Sequence, residues 1–163
     1  MLSTAMTCII GCGNLLRGDD AVGPLLVRRL WETDLASRVR LVDGGTAGMD
    51  VAFQMEGASE VVLVDACRTG AAPGTLYEVP GEEVEIPPLT GTNLHAFRWD
   101  QALAFGRWLL KDRFPPKVTV FLIEAEQVEP GAALSSSVSQ TLERLIGILV
   151  TRYKGVPPLT HES

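Results

Sequence analysis

The chain has 163 residues, which is enough for one domain with a sizeable core, and we expect a single domain over residues 1–163. Its formal net charge is −6 at pH 7 and it has no long run of Lys or Arg, so nucleic acid is excluded as an expected partner. Apolar residues make up 46% of the chain, but the longest apolar runs are far shorter than the roughly 20 residues that cross a bilayer. The composition therefore predicts a protein with no membrane span, and an acidic chain of this kind is expected to be monomeric.

The first predicted strand lies close to the start of the chain. Residues 1–6 contain no basic segment, and residues 7–10 form an apolar run that is typical of a strand rather than of a signal peptide. The three cysteines include no Cys-x-x-Cys pair, so we expect reduced thiols that pack as small apolar groups. These features predict a cytoplasmic protein.

Short apolar runs alternate with helical patterns along the chain. The predicted strands are residues 7–10, 39–43, 60–65 and 118–123, and the predicted helices are residues 22–31, 49–55, 95–111 and 135–153. Alternation of this kind predicts an α/β fold with a mainly parallel, twisted sheet and helices on both faces. Residues 75–79 are expected to add an edge strand, residues 80–92 a long loop, and residues 155–163 a flexible tail.

Carboxylates follow each of the first three predicted strands. Asp19 and Asp20 come after the first strand, Asp43 ends the second, and Asp65 ends the third. Because the carboxyl ends of parallel strands meet at one edge of a sheet, we expect these groups to converge in a single crevice. Like charges held close together raise each other's pKa or recruit a cation, so the crevice is a candidate metal site.

A histidine can complete this site. His95 opens the third predicted helix, and its ring can reach the same edge of the sheet. Two carboxylates and one imidazole suit zinc, nickel, cobalt or iron, so Asp20, Asp65 and His95 form a metal-site hypothesis. Each residue also has a structural alternative: Asp20 or Asp19 as a helix cap, Asp65 as an acceptor for loop amides, and His95 as a hydrogen-bonded surface residue.

The glycine-rich segments allow a second interpretation. Gly11 and Gly13 resemble a dinucleotide-binding loop, but Leu16 stands where the third glycine of that fingerprint is expected. Asp19 and Asp20 then place negative charge at a helix start, where a phosphate needs backbone N–H groups and a positive dipole. The alternative function is a Rossmann-like nucleotide-binding or sensor module without enzymatic activity, in which Asp43 binds a ribose.

Four motifs in order resemble the hydrogenase maturation protease family over nearly the whole chain. Each is a weak pattern alone, but together at this spacing they are specific. The motifs are Gly11-x-Gly13-Asn14-x-Leu16-x-x-Asp19-Asp20-x-x-Gly23, then Asp43-Gly44-Gly45-Thr46-Ala47-Gly48, then Val64-Asp65-Ala66 followed by Pro73-Gly74-Thr75, and last His95 before an apolar helix. Asn93-Leu94 replaces a frequent Ser-Pro pair, and Asp20 stands where some members have Glu, but neither change removes a ligand type.

The resemblance implies a hydrolase, an aspartic-type endopeptidase that removes the C-terminal extension of a nickel–iron hydrogenase large-subunit precursor. It implies that Asp20, Asp65 and His95 bind nickel that the precursor supplies, at a site that other divalent metals can also occupy. The catalytic carboxylates would be Asp20, Asp65 and Asp43, and the groove for the extension would be lined by Asp43, Gly45 and Thr46.

Two mechanisms are compatible with these residues. In one, nickel polarises the scissile carbonyl while Asp20 or Asp65 assists a water molecule as general base. In the other, the metal only positions the peptide, and Asp43 or another loop carboxylate activates the water. A cysteine nucleophile has little support, because the sequence pairs Cys12 with no basic group that would lower its pKa.

Overall fold

The computed structural model describes residues 6–46, 48–84 and 99–160, and within them it shows one α/β domain. A five-stranded sheet has the strand order β2-β1-β3-β5-β4, in which only β4 is antiparallel to its neighbour. The strands are β1 (Thr7–Cys12), β2 (Arg40–Gly45), β3 (Glu60–Cys67), β4 (Leu76–Pro80) and β5 (Lys117–Glu124). The helices are α1 (Val22–Leu30), α2 (Gly48–Gln54), the short α3 (Gly81–Val84), α4 (Trp99–Leu110) and α5 (Ser136–Tyr153). The predicted fold class and the predicted edge strand are confirmed.

Two apolar cores cover the two faces of this sheet. Val62 and Val64 of β3 pack with α1 and α5, whereas Val61 and Leu63 pack with α2 and α4. All four side chains are fully buried, which explains why β3 is continuously apolar rather than alternating. In the described part of the chain, no helix is long and apolar enough to cross a bilayer.

The glycines of the first motif allow close packing between β1 and α1. An ideal Cβ on Gly11 would lie 2.0 Å from the carbonyl oxygen of Gly23, and one on Gly23 would lie 2.3 Å from that of Cys12. A side chain at either position would therefore force the helix away from the sheet. This close approach places the start of α1, and the residues just before it, against the carboxyl end of β1.

The segments after β4 and after α5 differ in part from the sequence prediction. The predicted loop over residues 80–92 begins with the end of β4 and the short helix α3, and the rest of it lies outside the described residues. The start of the predicted flexible tail is attached to the domain: Arg38 Nη1 donates to the Val156 carbonyl at 2.7 Å, and the Leu159 amide donates to the Ser37 carbonyl at 2.7 Å.

The cysteines match the prediction of thiols without disulfides. Cys8 and Cys12 are buried and Cys67 is half-buried, and none forms a disulfide. Burial raises the pKa of the Cys8 thiol to about 11, with a smaller opposing effect of the nearby Arg40. Cys8 is therefore a neutral packing group at physiological pH.

Candidate active site

Asp20 lies at the carboxyl edge of the sheet, in a single 3-10 turn (Gly18–Ala21) that leads into α1. Its Oδ2 accepts a hydrogen bond from the Asn14 amide at 2.9 Å, which joins the turn to the loop after β1. The residue at the N-cap of α1 is Ala21, and no side-chain hydrogen bond caps that helix. The alternative that Asp20 or Asp19 serves as a helix cap is therefore wrong.

Asp19 has a different, structural role that the sequence analysis missed. Its side chain is fully buried. Oδ2 accepts from the backbone amides of Glu126 and Gln127 at 2.8 and 3.0 Å and from the hydroxyl of Ser135 at 2.8 Å, and Oδ1 accepts from the Ser135 amide at 2.7 Å. Asp19 thus attaches the segment between β5 and α5 to the turn that contains Asp20.

Asp65 occupies the end of β3, at the same edge of the sheet. Its side chain is only 4% exposed, and its Oδ1 accepts from the Ala66 amide at 2.7 Å. Ala66 belongs to β3, so this bond is to a strand amide, and the role of Asp65 as an acceptor for loop amides stays a prediction. Because side chains alternate along a strand, Asp65 follows Leu63 toward the face that contains α2 and α4.

Asp43 lies one strand further along the edge and is exposed. It is in register with Gly11 of β1, which separates it from β3, so β2 and β3 are about 10 Å apart here. Asp43 Oδ1 accepts from the Gly45 amide at 3.0 Å. Gly45 has φ +53°, which favours glycine, and its carbonyl accepts from the Gly13 amide at 2.9 Å. The exposed Thr46 follows in the turn after β2.

A cleft of about 290 Å³ lies between the turn that contains Asp20 and the end of β3. One of its walls contains Asp20, and another contains the end of β3 immediately after Asp65. It is lined by Arg17, Asp20, Ala66, Cys67, Arg68, Ala125 and Val128. The structure therefore brings Asp20 to the strand end that contains Asp65, while Asp43 lies on the other side of β1.

The third predicted ligand, His95, lies outside the described residues. Within residues 6–46, 48–84 and 99–160, no three His, Cys, Asp or Glu side chains form a group that could hold a metal ion. What the described part contains is three carboxylates along one edge of the sheet: Asp20 beside the cleft, Asp65 at the end of β3, and the exposed Asp43. The three-residue metal site stays a prediction.

A further buried carboxylate, Glu124 at the end of β5, shapes the loop after β3. It accepts from the Thr69 amide at 2.9 Å and from the Thr69 hydroxyl, with further amide donors from Gly70 and Ala71. Burial acts to raise the pKa of Glu124, but these hydrogen bonds outweigh it and hold the pKa below its usual value. The sequence offered no signal for this role, because Glu124 is an isolated acid after an apolar strand.

Comparisons with known proteins agree with this architecture and with the family that the motifs resemble. A family model described as hydrogenase maturation protease matches residues 24–152. The hydrogenase 2 maturation protease of Escherichia coli (strain K12) is 28% identical over 159 residues, which cover 95% of this chain and 96% of that protein. The hydrogenase expression/formation protein HoxM of Cupriavidus necator is 28% identical over 166 residues, which cover 96% of this chain and 80% of that protein.

Solved structures show the same fold. The hydrogenase maturating endopeptidase HybD from E. coli superposes with a TM-score of 0.74 at 28% identity, over 94% of this chain and 96% of that one. The maturation protease HycI from Thermococcus kodakarensis also gives a TM-score of 0.74, at 19% identity, over 93% and 94%. The family model spans most of the chain, and it favours a peptidase over the alternative of a nucleotide-binding module. The chain belongs to the hydrogenase maturation protease family.

Proposed function

We propose that this protein is an endopeptidase that removes the C-terminal extension of a nickel-loaded hydrogenase large-subunit precursor. In this proposal Asp20, Asp65 and His95 bind the nickel that the precursor already contains, so the metal is part of the substrate. Other divalent metals can occupy the same three residues. Cleavage then occurs only on a precursor whose metal has been inserted.

The observation that best supports this proposal is the position of Asp20. It lines a cleft beside the end of β3, and only its Oδ2 has a hydrogen-bond donor among the described residues. A carboxylate that lines a cleft and has one oxygen fixed by a backbone amide is suited to bind a metal ion brought in by a substrate. Asp65 supplies a second oxygen donor at the same sheet edge, and an N/O donor set of this kind suits nickel.

The chemistry that the family name implies is hydrolysis of a peptide bond. A carboxylate takes a proton from water, the water oxygen bonds to the scissile carbonyl carbon, and the C–N bond breaks as the proton passes to the leaving amine. Asp43 is suited to the role of base because it is exposed and lies on β2, across β1 from the strand that contains Asp65. Gly45 and Thr46 next to it supply the groove for the extension, and the aspartic-type assignment follows from these carboxylates.

The direct test measures shortening of a nickel-loaded precursor beside a nickel-free one. We expect shortening by the wild-type protein only when nickel is present. Asp20→Asn, Asp65→Asn and His95→Ala should each slow it by more than about 100-fold, since loss of a ligand exceeds the effect of losing an outer-shell partner. The matched control is Asp50→Asn, which changes an exposed carboxylate on α2 and should act as wild type.

Two results would contradict separate parts of the proposal. Equal shortening of the nickel-free precursor would refute nickel recognition while leaving the peptidase activity. Failure to shorten any precursor, together with micromolar nucleotide binding, would favour the nucleotide-binding module instead. For Asp43→Asn, loss of cleavage with unchanged precursor binding supports the base, whereas loss of both supports a role in the groove alone.

The same proposal places the reaction in the cytoplasm and makes the precursor the only macromolecular partner, with the protease as a monomer. The three cysteines without a disulfide support a reducing compartment. Sedimentation with and without the precursor tests the expected stoichiometry of one protease to one precursor.

A further inference from the structure

The cleft beside Asp20 contains two arginines that the proposed nickel site does not use. Its volume of about 290 Å³ is close to the lower limit of small-ligand pockets, which suits one or two residues of a peptide. Arg17 comes from the loop after β1 and Arg68 from the loop after β3. Two cationic side chains from distant parts of the chain therefore meet in one small space.

Backbone contacts hold both guanidinium groups at the cleft. Arg17 Nε donates to the Val128 carbonyl at 3.2 Å, and Arg68 Nη2 donates to the Glu126 carbonyl at 3.1 Å. Both acceptors belong to the segment that Asp19 attaches to the 3-10 turn. Each contact uses one of the five N–H donors of a guanidinium, so donors remain for an acceptor within the cleft.

The charges of these two arginines are not engaged in ion pairs among the described residues. Four other arginines do pair with carboxylates: Arg29 with Glu143, Arg38 with Asp34, Arg113 with Glu56, and Arg152 with Glu78. Of the described residues that line the cleft, Asp20 is the one acid, and in the proposed function its charge is engaged by nickel.

We propose that Arg17 and Arg68 bind a carboxylate of the precursor's C-terminal extension and so position the extension beside the nickel-binding residues. This inference rests on the proposed function and adds a substrate subsite to it. Guanidinium groups recognise carboxylates through paired N–H donors with defined geometry. The carboxylate is either an acidic side chain of the extension or its terminal carboxylate, since both offer the same chemistry.

The test is steady-state cleavage of the nickel-loaded precursor by full-length Arg17→Gln and Arg68→Gln proteins. The matched control is Arg144→Gln, which changes an exposed arginine on α5 that does not line the cleft. We expect each cleft variant to raise KM about tenfold, equivalent to one lost charge-assisted contact, with kcat within about twofold of wild type. The thermal unfolding midpoint of each variant should equal that of the wild-type protein, because both side chains are exposed.

Altered precursors identify the carboxylate. One series replaces each acidic side chain of the extension by its amide, and another precursor ends in a C-terminal amide. On the precursor that lacks the bound carboxylate, wild-type KM should rise about tenfold and the arginine variants should add no further increase. The altered precursor that shows this behaviour tells whether a side chain or the terminus is bound.

Three outcomes overturn the inference. Cleft variants with the same KM as Arg144→Gln would refute it while leaving the proposed function intact. A KM increase that persists on every altered precursor would mean that the arginines act only on the protease's own loops. Failure of the wild-type protein to cleave the unmodified precursor would refute the proposed function itself, and the subsite with it.

Discussion

Replacement of Asp19 should destabilise the protein strongly, whereas replacement of the neighbouring Asp20 should not. The Asp19→Ala change removes acceptors from three backbone amides and one hydroxyl. Leaving the buried Ser135 amide without an acceptor should lower the free energy of unfolding by about 2 kcal/mol. The partly buried amides of Glu126 and Gln127 should each lower it by about 1 kcal/mol, so the total is about 4 kcal/mol. That is a large fraction of the roughly 5–15 kcal/mol that stabilises a domain.

Urea unfolding of three variants measures this effect. With a slope of about 2 kcal/mol per M, Asp19→Ala should lower the midpoint by about 2 M. Asp19→Asn should lower the midpoint about half as much, because the side-chain amide keeps one acceptor oxygen but turns its NH₂ donor toward at least one backbone N–H group. Asp20→Asn is the control and should cost less than about 1 kcal/mol, since it affects one partly buried hydrogen bond.

The reasoning would be refuted if Asp19→Ala lowered the midpoint by no more than Asp20→Asn does. The same three variants separate stability from function. We expect Asp20→Asn to unfold near the wild-type midpoint and yet lose cleavage. Asp19→Asn should be less stable and retain cleavage at low temperature, where it stays folded.

Three further predictions follow from the packing and the buried ionisable groups. Gly23→Ala should destabilise the domain by about 3 kcal/mol, because its Cβ would lie within 2.6 Å of the backbone of β1 and β3. The control Gly147→Ala, which has open space on α5, should be neutral or stabilising in the same urea assay, and equal effects of the two variants would contradict the close packing at Gly23. Because folding lowers the pKa of Glu124, this residue contributes to stability above the usual glutamate pKa, and the contribution is lost as the pH falls below that value. The free energy of unfolding of Glu124→Gln, measured from pH 6 to pH 3, should therefore fall less steeply than that of the wild-type protein, and parallel curves would refute this. Native protein should be alkylated at the half-buried Cys67 long before Cys8, whose pKa is raised to about 11, and mass spectrometry showing early modification of Cys8 would contradict its burial.

The fold class could be predicted because it depends on local patterns. Continuous apolar runs indicate strands covered on both faces, and the carboxyl-edge rule then places Asp20, Asp43 and Asp65 at one edge. The glycines of the first motif were predicted to be unsuited to a dinucleotide, but their packing role at Gly11 and Gly23 needed coordinates. A close approach of two backbones leaves no periodic signal in a sequence.

The structural acids could not be predicted, because their partners are far away in the chain. An aspartate just before a helix predicts a cap, yet Asp19 accepts hydrogen bonds from residues 107 and 116 positions later. The arginine cleft has the same origin, since three separate loops contribute to it. Local rules predict what each loop can do but not which loops meet.

The attachment of residues 126–135 to Asp19 also affects when, during synthesis of the chain, the turn that contains Asp19 and Asp20 can fold. Asp19 is synthesised early, but the residues that hold its turn in place follow more than 100 positions later. At ribosomal speeds of about 5–20 residues per second, that delay is roughly 5–20 s. A nascent chain, or one terminated before residue 126, would contain Asp19 and Asp20 without the residues that hold their turn in place. The turn that carries Asp20 therefore reaches its final geometry only after Ser135, the residue just before α5, has been made.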